Sequence, residues 1–142
     1  MRNSKITAAF FILIALLLIL SVSVFGSTRY YSTVQRIFGA YRMEVDLDQM
    51  WLSEVDQNGE SFTISVQSPR NSFEMVMLIG FYAAGKAILE CNQPIQKVTM
   101  IVSVEYKGVE KIFATASRAD ILKFVNGDLL SEEFVRLVEY NS

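Results

Sequence analysis

From Ile6 to Phe25 the chain runs 20 positions without a charge, most of them apolar. A run of that length matches the ~20 residues a helix needs to cross a bilayer. Arg2 and Lys5 stand before it and SVSVFG behind it. The order basic, apolar, small is also that of a secretory signal peptide, with Val24 and Gly26 at the small positions. Signal cores are usually ~7–15 residues, so an uncleaved anchor is the favoured outcome and cleavage is the alternative. The short basic front places the amino terminus inside and the domain outside, although Arg29, Arg36 and Arg42 pull the other way.

Beyond the run, Tyr30, Tyr31, Val34, Ile37, Phe38 and Tyr41 fall at i, i+1, i+4, i+7, i+8 and i+11, one face of a helix. Two roles fit that stripe. As a juxtamembrane helix, Arg29, Tyr30, Tyr31, Arg36, Phe38, Tyr41 and Arg42 meet the lipid headgroups and acyl boundary. As the first helix of the domain, the stripe turns inward to the core. Gly26, Ser27 and Thr28 are expected to break the helix and cap a new one.

After Met43 the period changes to two. Strands are expected near 44–55, broken around Gln49, and near 60–67, joined at an Asn58-Gly59 turn. The stretch from Ser68 to Asn92 reads as a helix capped by Asn71 or Ser72. Its eleven uncharged residues from Met75 to Gly85 are too few to span a bilayer and too apolar for a surface helix. It is therefore expected at the centre, with Met75, Val76, Leu78, Ile79, Phe81, Ile88 and Leu89 as core. A second hairpin places Val98, Met100, Val102, Val104 and Tyr106 on one face, with Thr99, Ser103, Glu105 and Lys107 on the other. It turns near Gly108 and returns through Ile112 and Ala114. Two short helices close the chain, one capped by Ser117 and stopped at Asn126-Gly127, the other starting at Ser131.

The expected fold class is α+β: a transmembrane helix and a juxtamembrane amphipathic helix, then a small domain. That domain has two β-hairpins in a mainly antiparallel sheet, one buried helix and two short C-terminal helices. The divisions are 1–26 as anchor or signal peptide, 27–42 as basic aromatic helix and 43–142 as the α+β domain.

Charge sharpens this picture. Residues 27–42 carry three arginines and no acid, whereas 43–142 carry 8 basic and 15 acidic side chains. An acidic body argues against a nucleic-acid partner, because phosphate binding needs clustered Lys and Arg. The chain has no histidine, which removes the usual general base and the commonest zinc ligand. The one cysteine, Cys91, offers no disulfide framework; it suits a packed helix end or an intermolecular disulfide. Glu44, Asp46 and Asp48, with Glu54, Asp56 and Glu60 beyond, suggest a calcium or magnesium site, but their alternation is also that of a solvated strand. No catalytic, cofactor or metal residues are assigned, and catalysis is not expected.

The closing FVNGDLLSEEFVRLV resembles the end of small secreted or membrane-anchored prokaryotic domains of unknown function. These close with a helix, an Asn-Gly or similar break and a Leu-Ser-x-Glu-x-Phe helix. Asn126, Gly127, Leu130, Ser131, Glu133 and Phe134 carry the likeness, within residues 60–140, and it implies no activity. The expected role is a membrane-tethered, single-pass, non-catalytic interaction or scaffold module of the cell envelope. Its partners are the lipid bilayer and another membrane or envelope protein. The alternatives are a cleaved secreted domain and a filament subunit resembling pilins, although this chain lacks their glycine before the apolar run and the glutamate near its start.

Overall fold

A computed structural model describes residues 2–57, 59–105 and 108–142, without the side chains of 2–4 and 18–26. Asn58 of the expected first turn, and Tyr106 and Lys107 of the second hairpin, lie outside the described residues.

Helix α1 spans Arg2–Ala40. Strands β1 (Met50–Asp56) and β2 (Gly59–Pro69) follow, then α2 (Phe73–Cys91), β3 (Ile95–Glu105), β4 (Val109–Ser117), α3 (Arg118–Val125), α4 (Ser131–Leu137) and β5 (Glu139–Asn141). The protein is α+β, with one mixed five-stranded sheet in the order β1-β2-β3-β4-β5. Both expected hairpins form. Of the strand expected near 44–55 only Met50–Asp56 forms: residues 43–46 are irregular, and Leu47–Gln49 is a short 3-10 turn that leads into β1. The sheet departs from expectation at its centre, where β2 and β3 pair in parallel, Ile64 opposite Met100. The reason is the connection: α2 must cross over before the chain can return, and a crossover yields a parallel neighbour.

Alternation decides the two faces of the sheet. Phe62, Ile64 and Val66 of β2, Val98, Met100, Val102 and Val104 of β3, and Ala114 and Ala116 of β4 point under the helices and are buried. Helix α2 lies over them. A Cβ at Gly80 would collide with the Met100 side chain, so glycine here permits a close helix–sheet approach. Of the expected α2 core, Val76, Phe81 and Ile88 are buried, while Met75 and Leu89 point outward and Met77 takes a core position instead. A helix apolar on every side gives no moment from which to choose its inner face.

Two further features differ from expectation. Helix α1 does not break at Gly26, because one glycine in a helix costs only ~1 kcal/mol and no proline interrupts the ladder. Its far end contributes Tyr30, Val34, Ile37 and Phe38 to the same core cluster as the sheet, so a division at Met43 cuts through packed core. The short helices end as the sequence predicts. Ser117 Oγ accepts from the Asp120 N–H at 3.2 Å, and Gly127 takes a left-handed φ of 82°.

Candidate membrane and partner interface

Among the described residues, the front of α1 carries the longest run of exposed large apolar side chains. Ile6, Phe10, Phe11, Ile12, Leu13, Leu16 and Leu17 are each 56–70% exposed and project from the domain on every side of the helix. Among the described residues, one helical segment is long and apolar enough to cross a membrane, Arg70–Cys91, and more than half of it is buried inside the domain. That burial makes it the core helix. The apolar front of α1 is described only as the shorter piece Lys5–Leu17.

The seven residues assigned to a membrane interface separate into two groups. Tyr30 and Phe38 are fully buried, in the core alternative for this stripe. The Tyr30 ring stands edge-on to Phe62 at 4.8 Å, and its hydroxyl donates to the Ala84 carbonyl at 3.1 Å. Burial pushes the Tyr30 phenol well above its ordinary pKa, with the neighbouring Cys91 and Tyr31 adding to the rise. Tyr31 is half-buried, and its hydroxyl accepts the Leu52 N–H of β1 at 3.0 Å. Its pKa is also raised, chiefly by burial.

Arg29, Arg36, Tyr41 and Arg42 are exposed. The Arg36 guanidinium meets both Glu90 carboxylate oxygens, at 2.7 and 3.0 Å. Tyr41 stands edge-on to Tyr82 at 6.3 Å. Arg42 closes the helix in a left-handed turn, φ 60°, and its N–H donates to the Gly39 carbonyl at 3.0 Å. Thirteen residues at ~1.5 Å each set Arg42 ~20 Å along the helix axis from Arg29. The arginines therefore form a line along α1, not a patch at one level. The sequence could not show this, because adjacency to the apolar run suited a flat interfacial helix equally well.

Helix α1 runs antiparallel to α2: Thr33 Oγ1 lies 3.6 Å from Cys91 Sγ, and Tyr41 lies by Tyr82. Cys91 is thus half-buried at the end of α2, held against Thr33. Gly80 sits over Met100, and the chain enters β3 directly after α2, so β3 returns beneath α2 in the opposite direction. The end of the domain nearest the apolar half of α1 holds Ile95, Ser117 and the β1–β2 turn. The far end holds Pro69, Glu105 and Val109.

The acidic strand gathers no ligand set: among the described residues, no three Asp, Glu or Cys side chains come together around a common point. Near Asp46 and Asp48 the polar chemistry is turn-closing. The Gln49 side chain accepts the Asp46 N–H at 2.9 Å and donates to the Ser65 carbonyl at 3.0 Å. A hollow of ~430 Å³ at the far end, lined by Arg70, Phe73, Val104, Glu110 and Ile112, is open to solvent and brings no catalytic pair together.

Sequence reasoning missed one surface, the sheet face opposite the helices. Trp51, Thr63, Thr99 and Thr115 form one row across it, and Ser65, Ile101 and Phe113 the next. No described element covers it. Its signal was present in the odd positions of β2 to β4, which alternate with the core but carry few charges. Compared with known proteins, the chain matches no family model, no curated protein and no solved structure.

Proposed function

We propose that the protein is a membrane-tethered, non-catalytic interaction or scaffold module of the cell envelope, anchored by residues 6–25 with its domain outside the cytoplasm. The observation that carries this reading is the exposed front of α1. Seven large apolar side chains stand in water there on a helix whose other end is built into the core. At ~1.5–3 kcal/mol each, their burial would release on the order of 10–20 kcal/mol, more than a domain of this size can leave unused. A bilayer takes an all-round apolar helix; a groove would take only one side. Arg29 then lies closest to the headgroups, and the rest of the domain stands away from the surface.

Alkaline carbonate washing of membranes tests the anchor. The full-length chain is expected in the pellet, and its recovery in the supernatant would refute the proposal. Protease added to intact cells tests the orientation, with digestion of the domain expected.

The continuity of α1 also favours a second reading, a filament subunit resembling pilins, in which an exposed apolar helix leads into a helix packed on a sheet. The mass of the mature amino terminus separates the two. An intact front belongs to the anchor, a cut after Lys5 to the pilin-like chain, and a cut after Gly26 to a secreted domain.

A further inference from the structure

Antiparallel sheets commonly leave one face in water, whereas sheets that are parallel throughout are covered on both. This mixed sheet has its parallel pair β2–β3 at the centre, and no described element lies on the face opposite the helices. That face carries Trp51 and Phe113, 39% and 37% exposed, on opposite flanks, with Ile101 between them. The middle is small and hydroxylated. Thr63 and Thr99 lie side by side, and Thr99 Oγ1 bonds Thr115 Oγ1 at 2.9 Å, so these hydroxyls are partly satisfied within the sheet.

The edges of the sheet are closed against strand addition. On β1 the Leu52 N–H is taken by Tyr31 and the Met50 N–H by the Leu47 carbonyl. On the other side, β5 is three residues long. Short or capped edges are how proteins avoid pairing with strangers. The flat face has no such device.

We propose that this face is the contact between two copies of the chain. The charge distribution selects a second copy. Residues 43–142 carry a net −7, yet the described charges on the open face are close to balance, Lys97 and Lys111 beside Asp56, Glu105 and Glu139. An acidic domain can approach its own image here with little like-charge repulsion. A strongly basic partner would find its attraction elsewhere on the molecule.

The size of the face agrees. Four long strands ~4.8 Å apart, about 30 Å long, give a flat footprint of ~600 Å², and side-chain relief brings it near ~800 Å² per partner, the usual size of a stable interface. Geometry fits the anchor as well, and this step rests on the tethered reading above. Because the apolar half of α1 leaves the domain at the end that holds Ile95, a twofold axis parallel to the strands keeps both α1 helices at one end, toward one membrane. Centred on the β2–β3 pair, it sets Thr63 against Thr99 of the second copy and lays Trp51 over β4 of the second copy, beside Phe113.

Cross-linking of the full-length chain in its membrane tests this, in a Cys91→Ser background. Thr99→Cys and Thr63→Cys are expected to give a disulfide or short-linker dimer at least tenfold above Lys123→Cys, which lies on the helix side. Ile101→Lys, at a half-buried position of the open face, should reduce that dimer tenfold while the domain keeps its thermal transition. A chain with Thr63→Lys and Thr99→Lys and another with Thr63→Glu and Thr99→Glu, each carrying Ser65→Cys on the same face, should each fail to cross-link alone and cross-link when co-expressed. Cross-linking no stronger than at Lys123→Cys, or unaffected by Ile101→Lys, overturns the proposal. A product of Thr99→Cys that contains a different protein also overturns it, assigning the face to another partner. Dimers that form in detergent while carbonate extracts the chain from membranes would refute the anchor and keep the face.

Discussion

Phe38→Ala distinguishes a core helix from a membrane-surface helix at residues 27–42. Phe38 is fully buried, and its carbonyl also accepts the N–H groups of Tyr41 and Met43, both at 3.0 Å, where the chain leaves α1. Truncating a buried phenylalanine costs about 3–5 kcal/mol, from lost transfer energy plus the cavity left behind. A domain of this size is stable by about 5–15 kcal/mol, so the variant loses about a fifth of its stability or more. At roughly 3–6 °C per kcal/mol, the melting temperature should fall by about 10–25 °C. The measurement is near-ultraviolet circular dichroism of the full-length chain during heating, in detergent and again in lipid discs. Tyr41→Ala, on the half-exposed flank, is the internal control and should cost under about 1 kcal/mol. A fall of less than about 3 °C for Phe38→Ala would show that the ring contributes nothing to the core. An equal fall for Tyr41→Ala would show that burial of the ring does not set the cost.

Two other outcomes follow from the same packing. A fragment beginning at Met43 lacks Tyr30, Val34, Ile37 and Phe38, about 6–12 kcal/mol of burial. It should show no cooperative thermal transition, whereas a fragment beginning at Ser27 should, and cooperative melting of the shorter one contradicts the core assignment. Tyr30 makes stability depend on alkaline pH. Its folded pKa lies above the unfolded value of ~10, so its contribution is complete below that value and is lost as pH rises through the folded one. Tyr30→Phe loses the Ala84 hydrogen bond, about 0.5–1.5 kcal/mol near neutrality, but its urea stability should fall less than the natural chain's between about pH 9 and about pH 11. Parallel pH profiles would place the titration elsewhere.

Most elements were legible because each kept one period over its length. The alternation of Phe62, Ile64 and Val66 and of Val98 to Val104 marked β2 and β3 and their inner faces. Capping chemistry at Ser117 and Gly127 placed α3. Pairing partners are a different kind of information. Strand periodicity says which side chains point inward, not which neighbour runs alongside, so the parallel β2–β3 pair was not visible. Strand β5 is too short to carry a period. At Tyr30 and Phe38 two physically equivalent environments competed, a lipid boundary and a protein core, and helical spacing fits both. The core accounts for these two because Phe62 and the helix α2 carbonyls are within reach of the tyrosine ring and hydroxyl. The open sheet face was overlooked because serine and threonine at alternate positions resemble ordinary solvated strand, and only the assembled sheet shows Trp51, Ile101 and Phe113 on one uncovered surface.

The two proposals reinforce each other through one feature, the uninterrupted α1. The helix runs unbroken from the apolar front to Tyr30, the first fully buried side chain among its described ones. A stiff tether fixes how the domain is turned relative to the bilayer, which a glycine-rich linker would not. A face of ~800 Å² per partner is ordinary in size but weak in composition, with two aromatics, one isoleucine and many hydroxyls. Association in solution must offset several kcal/mol of lost translational and rotational freedom. Confinement of both copies to one membrane, upright and with their faces vertical, removes part of that cost before any contact is made. The same face that pairs copies within a membrane should therefore leave a fragment beginning at Ser27 mostly monomeric in solution at micromolar concentration. That difference follows from the tether, not from the residues in the face.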